Sequence, residues 1–297
     1  MPTANMPEAE VEITHGLVQR LLAAQHPDLA DLPIVLMANG WDNVLYRLGD
    51  HYTVRLPRRA LAAPLVLNEL DWLPRLASGL PVAIPAPVRR GEPNDEYPWS
   101  WSICPLLPGD IASLLEGAPA ETIGALAVAL GEFLRALHVP APINAPVNPY
   151  RGVPLGERDP VVRQRITNLT DIIDGPATLA QWESLVITPP WPSPPVWLHG
   201  DLHPANILVL DWALSGVIDF GDITSGDPAT DLSVAWMLFD EADRSLFRAA
   251  AGDIDDDTWA RARGWALNLG VAYLELSADS SVMAAIGHRT LQRVMAP

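Results

Sequence analysis

Apolar positions recur at two different periods along this chain, and the change from one to the other divides it. Between 14 and 25 the spacing is helical, with Ile13, Leu17, Leu21 and Leu22 on one side and Thr14 placed to cap the start. Short β-rich runs follow at 34–37, 44–48 and 52–56, and again at 88–90 and 101–104. Gly49-Asp50 suits a hairpin between the second and third of them. One helix interrupts the series at 60–72, with Val66, Leu70 and Leu73 along a face and Glu69 beside them. Pro74 is expected to end or kink it, because proline lacks the N–H a helix needs. Helical spacing then dominates, at 121–138, 160–173, 178–187, 227–239, 241–251, 256–276 and 280–295. A proline-rich coil at 140–154 and a stiff TPPWPSPP linker at 188–195 break the helical half. The pattern predicts an α+β chain in two lobes, a small antiparallel sheet over 1–104 and a larger helical part over 105–297.

Three short apolar runs depart from the helical half: 196–198, 207–210 and 216–218. They read as strands, and each releases polar residues at its end. Asp201, Asn206 and Asp219 therefore stand where a rigid frame gives way to loop, the usual place for a site. Two carboxylates and an amide suit Mg²⁺, which takes oxygen ligands and shares its shell with substrate phosphates. Asp201 is then free to accept a proton from a hydroxyl nucleophile. His199 and His203 lack a third ligand and are expected to orient the loop backbone. Asp227 and Asp231 are expected to cap a helix and brace the loop.

The loop His199-Gly200-Asp201-Leu202-His203-Pro204-Ala205-Asn206, followed by Asp219-Phe220-Gly221, resembles the catalytic and metal loops of the aminoglycoside and macrolide phosphotransferases. These are antibiotic kinases that share the protein-kinase fold. The resemblance implies a two-lobed kinase-like fold and transfer of the γ-phosphoryl group of ATP or GTP to a small-molecule hydroxyl. It assigns proton acceptance to Asp201 and Mg²⁺ to Asn206 and Asp219.

The resemblance also gives the first lobe a role. The strand–turn–strand around Asn39-Gly40 would cover the nucleotide phosphates, although it carries a single glycine. Arg55 and Glu69 match the positions of the basic residue and helix carboxylate that hold the α- and β-phosphates. Arginine stands where lysine is usual in the wider fold. Cys104-Pro105-Leu106-Leu107-Pro108-Gly109 reads as the crossing between lobes. There the Pro105 carbonyl and the Leu107 N–H would hold the base, with the small Cys104 leaving adenine unobstructed.

Charge alters the picture only at the acceptor. Of 297 residues 49% are apolar, and the formal net charge is −17. Such acidity argues against nucleic acid and suits cationic partners. Aminoglycoside kinases grip polycationic sugars with carboxylates after the metal loop, and Asp222, Asp240 and Glu241 match by position, the last two where the 227–239 helix was expected to end. An aminoglycoside acceptor follows from the resemblance. A macrolide, or a metabolite such as choline, methylthioribose, homoserine or a fructosamine, is the alternative, and a nucleotide-binding pseudokinase is a third. One cysteine excludes an internal disulfide. No stretch is apolar enough to span a bilayer, and MPTANMPEAEVE shows no signal peptide, so a cytoplasmic protein is expected.

Overall fold

The computed structural model describes residues 7–114, 119–276 and 280–296. Residues 1–6, which the sequence places ahead of the first element, lie outside the described residues. Packing divides the chain into two compact units. One runs through Ser78 and takes in Ala83–Pro108; the other holds Gly79–Val82 and the chain from Gly109.

In the first unit α1 (His15–Gln25) is capped by Thr14, whose side chain accepts from Leu17 N. Strands β1 (Ile34–Asn39), β2 (Asn43–Leu48) and β3 (Tyr52–Pro57) lead into α2 (Ala63–Leu76), and β4 (Arg89–Gly91) and β5 (Trp101–Pro105) follow. The sheet is antiparallel throughout, in the order β1-β2-β3-β5-β4. Alternation along the strands sets its two faces. Val44, Tyr46 and Leu48 of β2, Val54 and Leu56 of β3, and Trp101 and Ile103 of β5 join Leu17, Val18, Leu21 and Leu22 of α1 in one buried cluster. Arg55 falls between Val54 and Leu56, so its side chain leaves from the opposite face. Helix α2 buries Val66, Glu69 and Leu73. Pro74 does not end that helix, which continues through Leu76. A proline this close to the C-terminus removes one bond, to the Leu70 carbonyl, from a helix already fixed by its buried face.

In the second unit β6 (Asp110–Ile111) precedes α3 (Ala120–Leu137), α4 (Asp159–Asn168) and α5 (Gly175–Val186). Strands β7 (Val196–Leu198), β8 (Ile207–Leu210), β9 (Ala213–Val217) and β10 (Thr224–Gly226) come next. They form two small antiparallel sheets, β10-β7 and β6-β8-β9. The remainder is α6 (Ala229–Leu232), α7 (Val234–Leu238), α8 (Glu241–Ala251), α9 (Asp256–Leu276) and α10 (Ser281–Met295). Helix α9 is buried along most of its length, including Trp265, and is the axis on which this unit packs. Its Arg261 forms a fully buried ion pair with Asp227 (2.7 Å) and donates to the Pro189 carbonyl (2.8 Å), which ties the proline linker to the helix.

Several helix boundaries differ from the sequence reading. The helix expected over 160–173 stops at Asn168. The one expected over 227–239 breaks at Ser233, whose hydroxyl donates back to the Thr230 carbonyl (2.6 Å), and it ends at Leu238. Phe239 is extended and Asp240 caps the next helix, accepting from Asp243 N (3.0 Å). Asp240 and Glu241 thus stand at the N-terminus of α8, where the helix dipole favours a carboxylate, and not at a C-terminus. Among the described residues no helix is long and apolar enough to cross a membrane.

Candidate active site

Strand β7 is buried at all three positions and delivers His199–Asn206 as a loop held from several sides. Asp231, fully buried, accepts from His199 N (2.8 Å) and Gly200 N (2.9 Å), and its carboxylate lies 3.2 Å from His138 Nε2. Gly200 has φ +88°, and a Cβ there would sit 2.2 Å from the Asp222 carbonyl oxygen, so only glycine fits. His199 Nδ1 accepts from Asp201 N (3.2 Å) while Nε2 donates to the Ile218 carbonyl (2.9 Å). His203 Nδ1 likewise accepts from Ala205 N (3.2 Å). Both histidines serve the backbone, as their spacing suggested.

The Asp201 carboxylate is flanked by a guanidinium and an imidazole. Arg151 Nη2 is 3.1 Å from Oδ1, and His203 Nε2 is 3.5 Å from Oδ2. Burial pushes the Asp201 carboxyl up, but the His203 hydrogen bond and the Arg151 guanidinium outweigh it and hold the group well below the usual carboxylate range. It is an anion at any physiological pH.

Arg151 comes from the coil at 140–154, where no site residue was expected. It is the sole charged residue of that stretch, and an arginine between Tyr150 and Gly152 on so acidic a chain was the signal available. The coil is pinned on both sides of it. Asn148 N donates to Thr224 Oγ1 (2.9 Å) and Asn148 Nδ2 to Asp222 Oδ1 (2.7 Å). Gly152 N donates to Thr230 Oγ1 (3.1 Å), and Asp227 N to the Gly152 carbonyl (3.0 Å). Tyr273 of α9 was also missed, because on an apolar helix it reads as core. Its hydroxyl is buried without a hydrogen-bond partner among the described residues and is close enough to Asp201, Arg151 and Asp222 to sense their charges.

Asn206 directs Nδ2 to the Asp201 carbonyl (2.9 Å), which leaves Oδ1 as its remaining polar atom. Its own carbonyl accepts from Ile218 N (2.9 Å), binding it to the residue before Asp219. Asp219 adopts a left-handed conformation, φ +62° and ψ +66°, ahead of the turn Phe220–Asp222. For a residue other than glycine this costs of order 1–3 kcal/mol and marks a position fixed by its surroundings. An amide oxygen and a carboxylate are hard donors of the kind Mg²⁺ accepts, so the residues fit that ion. Asp222 is engaged with Asn148, and burial and the nearby Asp201 charge raise its pKa. Asp240 caps α8, and Glu241 is exposed in its first turn.

In the first unit Arg55 Nε lies 3.0 Å from Glu69 Oε2, and Glu69 is buried. The turn after Asn39 is closed by Gly40 N donating to the Asn43 carbonyl (2.9 Å) and by buried Arg58 donating to the Gly40 carbonyl (2.9 Å). Arg59 pairs with Asp42 (2.5 Å). The two arginines after β3 are therefore committed to this turn. Cys104 is buried with Sγ 3.6 Å from Ser102 Oγ. Pro105 ends β5 opposite Tyr52, and the next amide, Leu106 N, donates to the His51 carbonyl (2.8 Å), which makes Leu107 the following N–H along the chain.

Known proteins resemble this chain in sequence and in fold. The sequence profile described as the phosphotransferase enzyme family, APH, matches residues 34–265. An aminoglycoside 3'-phosphotransferase of Escherichia coli is 28% identical over 154 residues, 50% of this chain and 55% of that protein. The chain thus spans about half the length of the curated relative it matches. The GDP and kanamycin complex of APH(2")-IIia superposes with a TM-score of 0.71 at 21% identity, covering 93% of this chain and 97% of the other. The macrolide 2'-phosphotransferase MphH from Brachybacterium faecium gives 0.61 at 22% identity, covering 93% and 97%. These two likenesses are of fold.

Proposed function

The chain belongs to the phosphotransferase enzyme family, and on that premise we propose that it transfers the γ-phosphoryl group of ATP or GTP to a hydroxyl of a small molecule. The observation that carries this reading is the loop 199–206. Asp231 clamps two of its amides and Asn206 ties its far end back to the Asp201 carbonyl. The loop so held presents the Asp201 carboxylate, kept ionised by His203 and Arg151, and the Asn206 amide oxygen. Asp201 would accept the hydroxyl proton, while Asn206 and Asp219 would hold Mg²⁺. The ion, when bound, neutralises charge on the transferring phosphates. Arg55, fixed by Glu69, would contact the nucleotide phosphates, the turn at Asn39-Gly40 would lie over them, and Cys104, Pro105 and Leu107 would border the base. Catalysis on this plan is positioning and electrostatic neutralisation.

Two acceptor readings follow. The known relatives act on aminoglycosides and macrolides by name, and the carboxylates Asp222, Asp240 and Glu241 favour an aminoglycoside. A second reading, an acceptor without positive charge at the reacting hydroxyl, is favoured by Arg151, whose guanidinium lies 3.1 Å from Asp201. The test is nucleoside diphosphate release from ATP and GTP with aminoglycosides, macrolides and hydroxyl-bearing metabolites, beside Asp201→Ala and Asp219→Ala. Both variants should melt as folded proteins and lose nearly all transfer. Activity of Asp219→Ala within tenfold of the parent overturns the metal assignment.

A further inference from the structure

Arg158 is half-buried on a chain of net charge −17, yet its guanidinium has no carboxylate or carbonyl partner among the described residues. It lies over the Tyr150 ring, 5.7 Å from the centroid, and its Nε is buried without an acceptor. Burial disfavours its ionisation, and so do the nearby Arg151 and Arg165, while Tyr150 and Glu157 favour it more weakly. Those two arginines are already compensated, Arg151 by Asp201 at 3.1 Å and Arg165 by Glu275 at 3.1 Å. Of the three arginines, Arg158 alone forms no ion pair among the described residues. Arg151 retains a second unused donor, Nε, buried and unpartnered, and the unpartnered Tyr273 hydroxyl is within electrostatic reach of it. Leaving charged donors desolvated and unpaired is costly, and clustering like charges adds to that cost. An anion supplied from outside would relieve both.

We propose that Arg158 and Arg151 form an anion subsite beside the Asp201 carboxylate, which receives a carboxylate or phosphate group carried by the acceptor. The proposal rests on the phosphoryl-transfer reading and follows its second acceptor class. Two guanidinium groups, one backed by an aromatic ring, suit either group through paired, charge-assisted hydrogen bonds. The same charges repel an ammonium group placed next to the hydroxyl that reacts, so a polycationic sugar is the acceptor this corner selects against. Arg151 also keeps Asp201 ionised and directed, and so stands between the anion and the reacting hydroxyl.

The experiment has a binding arm and a turnover arm. In the first, melting temperature is measured in sulfate or inorganic phosphate against chloride at equal ionic strength, for the parent protein and for Arg158→Gln and Arg158→Lys. Sulfate and phosphate should raise the melting temperature of the parent, raise that of Arg158→Lys less, and leave Arg158→Gln unmoved. Equal shifts in the parent and Arg158→Gln overturn the subsite. In the second arm, glucuronate, glucose and glucosamine, one pyranose ring with three charges, are compared as acceptors with MgATP and as competitors of any acceptor found. Glucuronate should bind at least tenfold better than glucosamine, and Arg158→Gln should erase that preference while the KM for ATP stays unchanged. A raised KM for ATP with an unaltered acceptor preference assigns the anion to the nucleotide and overturns the proposal. Anion stabilisation that depends on Arg158 without transfer to any acceptor tells instead against the phosphoryl-transfer reading and leaves the subsite standing.

Discussion

Arg55 Nε and Glu69 Oε2 stand 3.0 Å apart, one on a strand and the other on the helix that follows it. Strand alternation sends Arg55 away from the cluster that α1 covers, and Glu69 is one of three buried residues of α2. The pair joins strand and helix on the far face of the sheet. Arg55→Ala should raise the KM for nucleotide by roughly tenfold to a hundredfold, since charge-assisted contacts are worth about 1.5–3 kcal/mol. Lysine should recover part of that. Initial-rate kinetics with varied nucleotide decide it, and an unchanged KM for Arg55→Ala removes the residue from the phosphate contact.

Asp240 allows charge and capping to be separated. Its side chain accepts from Asp243 N at the start of α8. Asparagine caps as well as aspartate, whereas alanine does not, at about 1 kcal/mol. Asp240→Ala should therefore lower the melting temperature by about 2–4 °C, and Asp240→Asn should leave it unmoved. If the carboxylate also attracts a cationic acceptor, Asp240→Asn combined with Glu241→Gln raises the acceptor KM without altering that for nucleotide. An unchanged acceptor KM confines Asp240 to capping.

The single thiol should be inert. Burial pushes Cys104 up to about 12 despite its contact with Ser102. At about pH 8 only of order one thiol in ten thousand is then ionised, and the thiolate is the reactive form. Labelling of the native protein by a thiol reagent should run at least a hundredfold slower than in denaturant. Its rate should climb about tenfold per pH unit without levelling off near the value of an ordinary cysteine. A plateau at about pH 9 refutes the burial argument.

Asp222 has its pKa raised by burial and then by Asp201. A carboxyl raised on folding contributes stability that is present below its unfolded pKa and lost as pH rises through the folded value. At about pH 7 the ion is therefore a burden, and Asp222→Asn, which keeps an oxygen for Asn148, should melt no lower than the parent in the absence of Mg²⁺ and nucleotide. The advantage should vanish below about pH 4, where the unfolded carboxyl is itself protonated. Melting curves across that range test the sign.

How far the residues announced the site depends on how each one is held. Asp201, Asn206 and Asp219 stood out because strands bounded by turn residues leave a local trace, whereas Arg55 and Glu69 were matched through the resemblance, and the structure brings them within 3.0 Å. Arg151 left no such trace. Its place is set by bonds from a coil to Thr224, Asp222 and Thr230, between 74 and 78 residues away. No period encodes such pairing. The break at Ser233 was hidden for a similar reason, since an apolar stripe runs through it and Ser233 keeps helical angles while its hydroxyl bonds back to the Thr230 carbonyl. Asp240 was read as closing one helix because the residue that starts the next looks the same in sequence.

At Gly152 and Gly226 the coil that carries Arg151 and strand β10 meet backbone to backbone. A Cβ on Gly226 would lie 2.1 Å from the Gly152 carbonyl oxygen, and one on Gly152 would lie 3.2 Å from the Gly226 Cα. The two segments are in effect soldered. Whoever tries to redirect this protein by exchanging the coil for that of a relative must bring both ends of the joint, for a coil that needs a side chain at either position will push Arg151 away from Asp201. If Arg151 governs the choice of acceptor as proposed, that choice is inherited as a pair of segments and drifts by changes at 147–151 that leave the joint alone.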